Sequence, residues 1–376
     1  MKHFFLTGAS GNIGSALVPK LLKESNTCIT ILLRADDQEH LEKRFAELVS
    51  FWGFDRDYAD RHLIPRRGDM TQKYLGMDQE SYTELVLECS HIIHCGGVVR
   101  MNLPLAEARK SALDTAQEIV RLAQKTTESG NLEKIEYIST VGVIGNAMEP
   151  LTEKAVTIKR TFHNTYEEAK AEAEEFLLDA IAQHNLPLTI HRPSMVVGAA
   201  KTGKAISFQV FYHLCEFLAG GLTLGILPNL RGATLDIVPV DYVAKVIAWS
   251  AKTQLTSGKF LHECAGQNQA LKITELEKEL QKHNYFRRQK RLFGNKNLRL
   301  PIPFFKLFSR AISIFLPPRQ KKALNTLPFF LKYLGDPQSF DNRKTDKLLK
   351  THNLSRPAVG EFLPEVLNYY IKIKTS

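Results

Sequence analysis

Short apolar runs alternate with longer amphipathic segments from the start of the chain. An apolar run at residues 2–6 leads into a glycine-rich turn, a helical pattern continues to about Lys23, and a second apolar run covers residues 28–33. Buried runs of this length, separated by helix-length segments, are typical of strands joined by helical crossovers. The N-terminal region therefore predicts a β-α-β unit.

The same alternation continues through the first half of the chain. Apolar runs at residues 90–94, 134–139 and 188–191 alternate with helical patterns that include residues 106–124 and 166–183. Strands that alternate with helices form parallel sheets with helices on both faces. We therefore expect an α/β fold with a Rossmann-type, doubly wound parallel sheet.

The pattern becomes irregular in the second half of the chain. A strand at residues 234–240 and a helix at residues 243–252 still return, whereas residues 199–232 lose the alternation and are interpreted as a substrate-facing insertion. We expect a Rossmann domain over residues 1–250 and a smaller, mostly helical substrate or lid region over residues 251–376.

The positive charge of the chain is concentrated in one segment. The formal net charge is +10, yet residues 280–335 carry 13 lysines and arginines and no acidic residue, so the rest of the chain is slightly acidic. No nucleic-acid recognition motif accompanies this basic amphipathic segment, residues 282–332, and we expect no nucleic-acid partner.

Aromatic residues are frequent inside the basic segment, at residues 300–318. Three interpretations stay open: a core stripe, a lid over a lipidic tunnel, or a membrane-facing patch flanked by cations. The last of these predicts peripheral membrane contact through residues 287–322. The aromatic side chains concerned are Phe304, Phe305, Phe308 and Phe315.

Cysteine usage and hydropathy bear on the compartment. The five cysteines are scattered, without the paired spacing of a zinc site or a disulfide framework. The N-terminal apolar run is too short for a signal peptide, and no run reaches the roughly 18 apolar residues that span a bilayer. We expect a cytoplasmic protein.

The sequence TGASGNIG at residues 7–14 follows the first predicted strand and opens the first predicted helix. Glycines in this context permit a tight turn and a close approach to a pyrophosphate, and the helix N-terminus offers unpaired N–H groups to the anion. The motif therefore predicts a dinucleotide site.

The residue after the second strand bears on the choice of cofactor. An acidic residue there would hydrogen-bond the ribose of NAD, whereas a cationic one would meet the extra phosphate of NADP. Arg34 occupies this position, and Arg44 lies about three helical turns further along. We expect NADP (NADPH) as the cofactor. The alternative is that Arg34 is a solvated strand end and that Asp36 or Asp37 binds the ribose.

Tyr166 and Lys170 are four residues apart, which places them on the same face of a predicted helix. A nearby ammonium stabilises a phenolate, so we expect a lowered pKa for Tyr166 and general acid–base chemistry near neutral pH. This spacing is also common between solvent-facing residues, but its position downstream of the glycine motif favours catalysis.

Two further groups of residues do not favour a metal site or a hydrolase. His91, His94 and Cys95 lie close together, but on a strand their side chains point to mixed faces, so packing is a better interpretation than a metal site. Ser139 lacks the strand-to-helix elbow that exposes the nucleophile of many hydrolases.

Motifs over about residues 2–250 together resemble the extended short-chain dehydrogenase/reductase family. They are TGASGNIG (7–14), GDM (68–70), YISTVGVIG (137–145), YEEAK (166–170), HRPSMVVG (191–198) and LDIVPVDYVA (235–244).

The resemblance implies a role for each matching residue. Thr140 would orient the substrate oxygen, Tyr166 would be the catalytic acid, and Lys170 would also bind the nicotinamide ribose. Asp69 would contact the adenine. With the glycine motif and the two arginines, the expected cofactor-binding residues are Thr7, Gly8, Ser10, Gly11, Asn12, Ile13, Gly14, Arg34, Arg44, Asp69, Met70, Cys95, Gly96, Gly97, Lys170, Pro193 and Ser194.

Two positions depart from the family pattern. The family commonly has an asparagine on the helix before the catalytic strand, where this chain has Ala112, and its usual Asn-Ala-Ala is here Cys95-Gly96-Gly97. The first departure leaves the proton route behind Lys170 open.

Within the family, four further segments resemble the thioester-reductase and fatty acyl-CoA reductase, or male-sterility-type, branch. They are LLRADD (32–37), LGM (75–77), STVGV (139–143) and FDNRKTDKLL (340–349), and the predicted helix that carries Arg44 resembles the same branch. The resemblance implies a reductase that uses NADPH on a carbonyl or acyl thioester of a hydrophobic substrate, delivered as a coenzyme A ester or on a separate carrier protein.

Three alternative functions are compatible with the same motifs. They are a hydroxysteroid-type dehydrogenase, a nucleotide-sugar epimerase or dehydratase, and a non-catalytic NADP-binding sensor. Sensors of this kind typically lose the tyrosine or the lysine, and this chain keeps both.

Overall fold

The computed structural model describes residues 2–24, 26–230, 232–288, 297–313, 331, 334–335 and 339–376. Its strands are β1 (Lys2–Thr7), β2 (Thr27–Leu33), β3 (Leu63–Arg67), β4 (His91–His94), β5 (Lys134–Ile138), β6 (Leu188–His191), β7 (Met195–Val197), β8 (Ile226–Pro228), β9 (Thr234–Leu235), β10 (Ile237–Pro239), β11 (Phe260–Leu261), β12 (Leu271–Lys272) and β13 (Leu298–Leu300). Its α-helices are α1 (Asn12–Leu21), α2 (Gln38–Trp52), α3 (Arg56–His62), α4 (Gln79–Glu88), α5 (Leu105–Arg109), α6 (Thr115–Glu128), α7 (Thr165–His184), α8 (Val210–Leu218), α9 (Val240–Ser250), α10 (Ile273–Lys282), α11 (Asn284–Arg287), α12 (Ile302–Ser313), α13 (Arg343–Lys350) and α14 (Val359–Thr375).

Seven of the described strands form one parallel sheet, in the order β11-β6-β5-β4-β1-β2-β3. Strands β2, β4, β5 and β6 are buried along their whole length, which explains their near-continuous apolar runs. The order reverses between β1 and β4, and the crevice at that point, outside the carboxyl ends of the strands, is where such sheets bind ligands. The Rossmann-type α/β prediction is confirmed.

Helices cover both faces of this sheet. Phe4 and Leu6 of β1 belong to a core with α1, α2 and α9, whereas Phe5 points to the opposite face and belongs to a core with α4, α6 and α7. This opposite placement follows from the alternation of side chains along a strand.

The second half of the chain builds a smaller and mostly helical unit beside the sheet. Its apolar core joins α8, α10 and α14 with the short strand pairs β8–β13 and β9–β12. Phe305 of α12 is fully buried in this core, 5.9 Å from the ring of Phe217. Strand β11 lies beyond residue 250 and pairs with β6 at the edge of the main sheet. The division of the chain at residue 250 stays a prediction.

The strand expected at residues 234–240 is divided in two. Asp236 lies between β9 and β10, and its carboxylate accepts the backbone N–H groups of Ala265 (2.6 Å) and Gly266 (2.8 Å). The strand is interrupted at this residue: β9 pairs with β12, and β10 pairs with β7.

The aromatic-rich stretch at residues 300–318 is described as far as Ser313, where α12 ends, so Phe315 lies outside the described residues. Phe305 and the half-buried Phe308 pack into the core, whereas Phe304 is 65% exposed. The stripe is therefore divided between core and surface. In the described parts of the chain, no helix is long and apolar enough to cross a membrane.

Candidate active site

A cleft opens at the carboxyl ends of β1, β4, β5 and β6. Its lining combines the start of α1, the residues after β4 and β5, the tyrosine helix α7, and the segment from β7 to α8. The lining residues are Gly11, Asn12, Ile13, Cys95, Gly96, Gly97, Val99, Met101, Ile138, Ser139, Thr140, Val141, Gly142, Tyr166, Glu167, Lys170, Pro193, Ser194, Met195, Val196, Gln209, Val210, Phe211 and Tyr212.

The glycine turn places α1 against the cleft. Gly8 has a φ of +76°, and a Cβ on it would lie 2.6 Å from the carbonyl carbon of Cys95. A Cβ on Gly14 would lie 2.2 Å from the oxygen of Gly8, so the helix could not approach the turn. Helix α1 begins after Gly11 without a side-chain cap. Its first N–H groups therefore remain for an anion.

Thr7 supports the turn from behind rather than lining the cleft. Its side chain is fully buried, its hydroxyl lies 2.8 Å from Nδ1 of His94, and it accepts the N–H of Gly96 at 3.2 Å. Met70 lies behind the cleft in the same way, since a Cβ on Gly96 would come within 2.3 Å of its Sδ.

Four of the predicted cofactor residues meet beyond β2, outside the residues that line the cleft but next to Gly11, in what we call the arginine end: Ser10, Arg34, Arg44 and Asp69. Arg34 donates to Asp69 at 3.1 Å, and Arg44 donates to the carbonyl of Arg34 and to Oγ of Ser10 (3.4 Å). The Arg34 side chain is 63% exposed, so both its charge and its donors are accessible.

Asp69 is held ionised beside these arginines. Partial burial alone would raise its pKa, but hydrogen bonds from Thr71 and the nearby Arg34 charge keep the pKa of Asp69 below its usual value.

Asp36 and Asp37, the alternative ligands for the ribose, both contact His40 in the first turn of α2. Asp37 caps that helix by accepting the N–H of His40 at 2.7 Å, and Asp36 lies 3.2 Å from Nδ1 of His40. Asp37 is thus engaged as the helix cap, whereas the Asp36 side chain is 92% exposed.

Thr140, Tyr166 and Lys170 meet at the other end, which we call the tyrosine end. Asn164 caps α7 and sets Tyr166 and Lys170 on the face turned to the cleft, and Thr140, directly after β5, hydrogen-bonds Tyr166. The Lys170 ammonium donates to the carbonyl of Ile138 at 2.9 Å and lies 5.0 Å from the ring centre of Tyr137.

The expectation of a lowered Tyr166 pKa is wrong for this arrangement. Burial and the neighbouring Glu167 carboxylate raise the pKa of Tyr166 to about 12, and the hydrogen bond from Thr140 offsets only part of that shift. Burial lowers the pKa of Lys170 to about 8, against the opposing charge of Glu174. At neutral pH the phenol is therefore a proton donor beside a mainly charged ammonium.

A buried ion pair that sequence reasoning missed supports the tyrosine end. The fully buried Arg192 precedes Pro193, and its guanidinium donates to Glu174 at distances down to 2.6 Å. Glu174 lies one helical turn after Lys170 on α7. The pair thus ties the catalytic helix to the segment that lines the cleft at Pro193 and Ser194.

A second buried cluster is centred on His191, the last residue of β6. His191 contacts Glu263 at 2.5 Å and Glu136 at 2.6 Å, and all three side chains are buried. Burial disfavours the imidazolium, but the two carboxylates outweigh it and raise the pKa of His191 to about 9. The HRP sequence at residues 191–193 could have drawn attention to these cations, although it names no partner for them.

Ala112, at the position of the usual family asparagine, lies in a π-helical turn, Lys110–Asp114, between α5 and α6. Its carbonyl accepts the Thr115 hydroxyl at 2.9 Å, and the adjacent Ser111 hydroxyl accepts the N–H of Val98 at 2.9 Å. This turn therefore supports the backbone after Gly97, and π-turns of this kind are frequent at functional sites.

The cleft wall beyond Tyr166 is mainly apolar. Phe211 and Tyr212 are almost fully buried, and Val99 and Met101 also line the cleft. Such a wall suits a hydrophobic group placed next to Thr140 and Tyr166.

Comparison with known proteins identifies the class of this chain. The family described as Male sterility protein matches residues 6–247. The chain belongs to that family, and its predicted place among the NAD(P)-dependent oxidoreductases of the extended short-chain dehydrogenase/reductase type is confirmed.

Particular relatives are much longer proteins. The chain is 26% identical to isonitrile lipopeptide synthase of Streptomyces coeruleorubidus over 243 residues, which are 64% of this chain and 16% of that protein. It is 25% identical to L-2-aminoadipate reductase of Schizosaccharomyces pombe over 268 residues, which are 66% of this chain and 18% of that protein. The chain thus spans about a quarter or less of the curated relatives it matches.

Solved structures share the fold. The terminal R domain from the myxalamid PKS-NRPS biosynthetic pathway superposes with a TM-score of 0.80 at 24% identity, covering 100% of this chain and 92% of that one. A thiolation-reductase di-domain from an archaeal non-ribosomal peptide synthetase gives a TM-score of 0.74 at 18% identity, covering 100% of this chain and 76% of that one.

Proposed function

We propose that this protein reduces an acyl thioester to an aldehyde with NADPH. The observation that carries the proposal is the meeting of Thr140, Tyr166 and Lys170 with an apolar wall in one cleft. The exposed Arg34 and the half-buried Arg44 lie beside Ser10, next to the cleft residue Gly11. Relatives named as a reductase and as a lipopeptide synthase support thioester reduction over the other carbonyl chemistries.

The residues present fit NADPH. The close packing of Gly8 on Cys95 and of Gly14 on Gly8, which added Cβ atoms would prevent, brings the uncapped start of α1 to the cleft, which is the geometry that a pyrophosphate needs. Arg34 and Arg44 would hold the 2′-phosphate, and Lys170 would hold the nicotinamide ribose. When bound, NADPH supplies the hydride.

The protein side chains supply the proton and the orientation. Thr140 and Tyr166 would hydrogen-bond the thioester oxygen, so that negative charge developing there is stabilised as the carbonyl carbon accepts the hydride. Tyr166, with its pKa at about 12, passes its proton to that oxygen. In the resulting hemithioacetal the hydroxyl returns its proton to the Tyr166 phenolate as the C–S bond breaks, which leaves the aldehyde, and the sulfur takes up a proton from solvent and departs as the thiol.

We propose a hydrophobic acyl chain as the substrate, carried on coenzyme A or on a carrier protein. The wall at Phe211 and Tyr212 would receive the chain. The solved thiolation-reductase di-domain supports delivery by a carrier.

The test is NADPH oxidation with panels of acyl-coenzyme A, acyl-carrier, ketone and sugar-nucleotide substrates, with Tyr166→Phe as the matched control. We expect thioester-dependent turnover that falls by about 10²- to 10⁴-fold in the variant, because the proton donor is lost. Equal rates in both proteins would refute the catalytic assignment. Tighter binding of NAD than of NADPH, with turnover of sugar nucleotides, would favour an epimerase.

We also propose a cytoplasmic protein that contacts anionic membranes peripherally through residues 287–322. In the described part of that segment, Phe304 and Leu307 are 65% and 68% exposed on α12, beside the exposed Lys306. Replacing both apolar residues with serine should reduce flotation with phosphatidylserine vesicles, whereas Leu255→Ser, at an exposed site elsewhere, should not. Equal flotation of the two variants would remove the proposal.

A further inference from the structure

The segment between β7 and α8 contacts the start of α1 and ends at the apolar cleft wall that contains Phe211 and Tyr212, which we call the acyl wall. At Ser207, both the backbone N–H (3.1 Å) and the hydroxyl (3.3 Å) donate to Oδ1 of Asn12, the first residue of α1. We call this contact the clasp. Two residues after Ser207 the segment reaches Gln209, where it begins to line the cleft.

The earlier part of the segment is anchored independently of the clasp. The Lys204 ammonium donates to the carbonyl of Phe51 at 2.6 Å, at the end of α2, and the N–H of Ala200 donates to Asp241 of α9 at 2.8 Å. Gly203, with a φ of +66°, lies so close to α14 that a Cβ would be 2.1 Å from the oxygen of Glu365. A change at Ser207 therefore leaves the fold of the segment in place.

The clasp sets the orientation of the Asn12 amide. A backbone N–H can only donate, so the amide oxygen rather than the nitrogen must face Ser207. With Oδ1 turned to Ser207, the NH₂ group of Asn12 points away from it. Asn12 lines the cleft between Gly11 and Ile13, next to the free N–H groups of α1.

We propose that Ser207 is a positioning residue, which holds the Asn12 amide so that its NH₂ donates to the cofactor pyrophosphate. The same contact connects the glycine turn to the acyl wall, because Ser207 lies only two residues before Gln209, where the segment begins to line the cleft. The proposal rests on the cofactor site argued above, and it concerns binding of NADPH independently of the substrate that is reduced.

The first measurement is the dissociation constant of NADPH, followed by fluorescence without turnover. Ser207→Ala removes the longer of the two bonds to Oδ1 while the backbone N–H stays, so it should weaken NADPH binding by up to about threefold, less than the value of one whole hydrogen bond. Asn12→Leu, which removes the donating NH₂ itself, should weaken it about three- to tenfold. Ser207→Thr keeps the hydroxyl and should restore binding. The matched control is Thr202→Ala, which removes a hydroxyl from the same segment that does not touch Asn12.

A double-mutant cycle separates positioning from a general structural effect. Asn12→Leu removes the amide, and in that background Ser207→Ala should have no further effect on NADPH binding. In the steady state, Ser207→Ala should raise the KM for NADPH while changing kcat less than about twofold, because the tyrosine end is untouched.

Two results would contradict the proposed role of Ser207 in NADPH binding. One is equal NADPH affinity in Ser207→Ala and Thr202→Ala, and the other is an undiminished effect of Ser207→Ala in the Asn12→Leu background. If the variants show the expected NADPH affinities but the protein reduces no thioester, the proposed reaction is wrong and the proposed role of Ser207 in NADPH binding is still supported.

Discussion

The two ends of the cleft hold arginines in opposite environments. At the arginine end, Arg34 is 63% exposed and its partner Asp69 is 20% exposed. At the tyrosine end, Arg192 is fully buried against Glu174. An exposed guanidinium can exchange its partner for a ligand at little cost, whereas a buried one cannot leave its carboxylate without uncompensated charge. The first arrangement suits recognition, and the second suits rigid support of α7 and Pro193.

The largest expected effect is on folding at the tyrosine end. Arg192→Gln should lower the free energy of unfolding by about 3–5 kcal/mol, because Glu174 would be left buried without its ion-pair partner. Arg34→Gln should change it by less than about 1 kcal/mol. Urea denaturation of both variants measures the difference.

A double variant sharpens this contrast. Removing both buried charges, as Arg192→Met with Glu174→Met, should recover part of the lost stability. Equal loss in Arg192→Gln and Arg34→Gln would mean that burial does not distinguish the two ends.

The second expected effect is on cofactor choice at the arginine end. Replacing Arg34 and Arg44 together with serine should raise the dissociation constant of NADPH about 10- to 100-fold, since each charge-assisted hydrogen bond contributes about 1.5–3 kcal/mol and part of this is screened. The dissociation constant of NADH should hardly change. Calorimetric titration of both cofactors measures the preference.

The matched control is Arg61→Ser, an exposed arginine whose side chain donates to the Asp57 carbonyl of its own helix. It should leave both affinities unchanged. If the double variant keeps its preference for NADPH, the arginine end does not recognise the 2′-phosphate.

The smallest expected effect, about tenfold at pH 9, is the pH dependence of turnover. Lys170, with its pKa lowered to about 8, loses its charge as the pH rises through that value, while Tyr166 stays protonated to about 12. The kcat for reduction should therefore be constant below pH 8 and fall about tenfold for each pH unit above it. The preference for NADPH over NADH should stay flat over the same range, because arginine keeps its charge.

Lys170→Arg provides the control for this profile. A guanidinium keeps its charge, so the variant should be less active but flat over the same range. A wild-type rate that holds steady well above pH 8 would show that the charge of Lys170 is not required.

The parts of the site that could be predicted from sequence are local ones. The glycine turn, Arg34 at the end of β2 and the Tyr166/Lys170 spacing each depend on neighbours within one strand, turn or helix. The buried pairs could not be predicted, because Arg192 and Glu174 lie on different elements and His191 meets carboxylates from β5 and from beyond β11.

Tyr166 has one property that the sequence predicts, its position on a helix, and one that needs the tertiary structure, its pKa. Helical spacing alone determined that Tyr166 and Lys170 share a face, and the short apolar runs determined the parallel sheet beneath them. Only the tertiary structure decided the protonation behaviour, because burial depends on packing between distant elements and here raises the tyrosine pKa and lowers that of the lysine. In the same way, the glycine motif by itself predicted that residues 7–14 lead into a helix, and only the fold brought Ser207 beside Asn12 at the start of that helix.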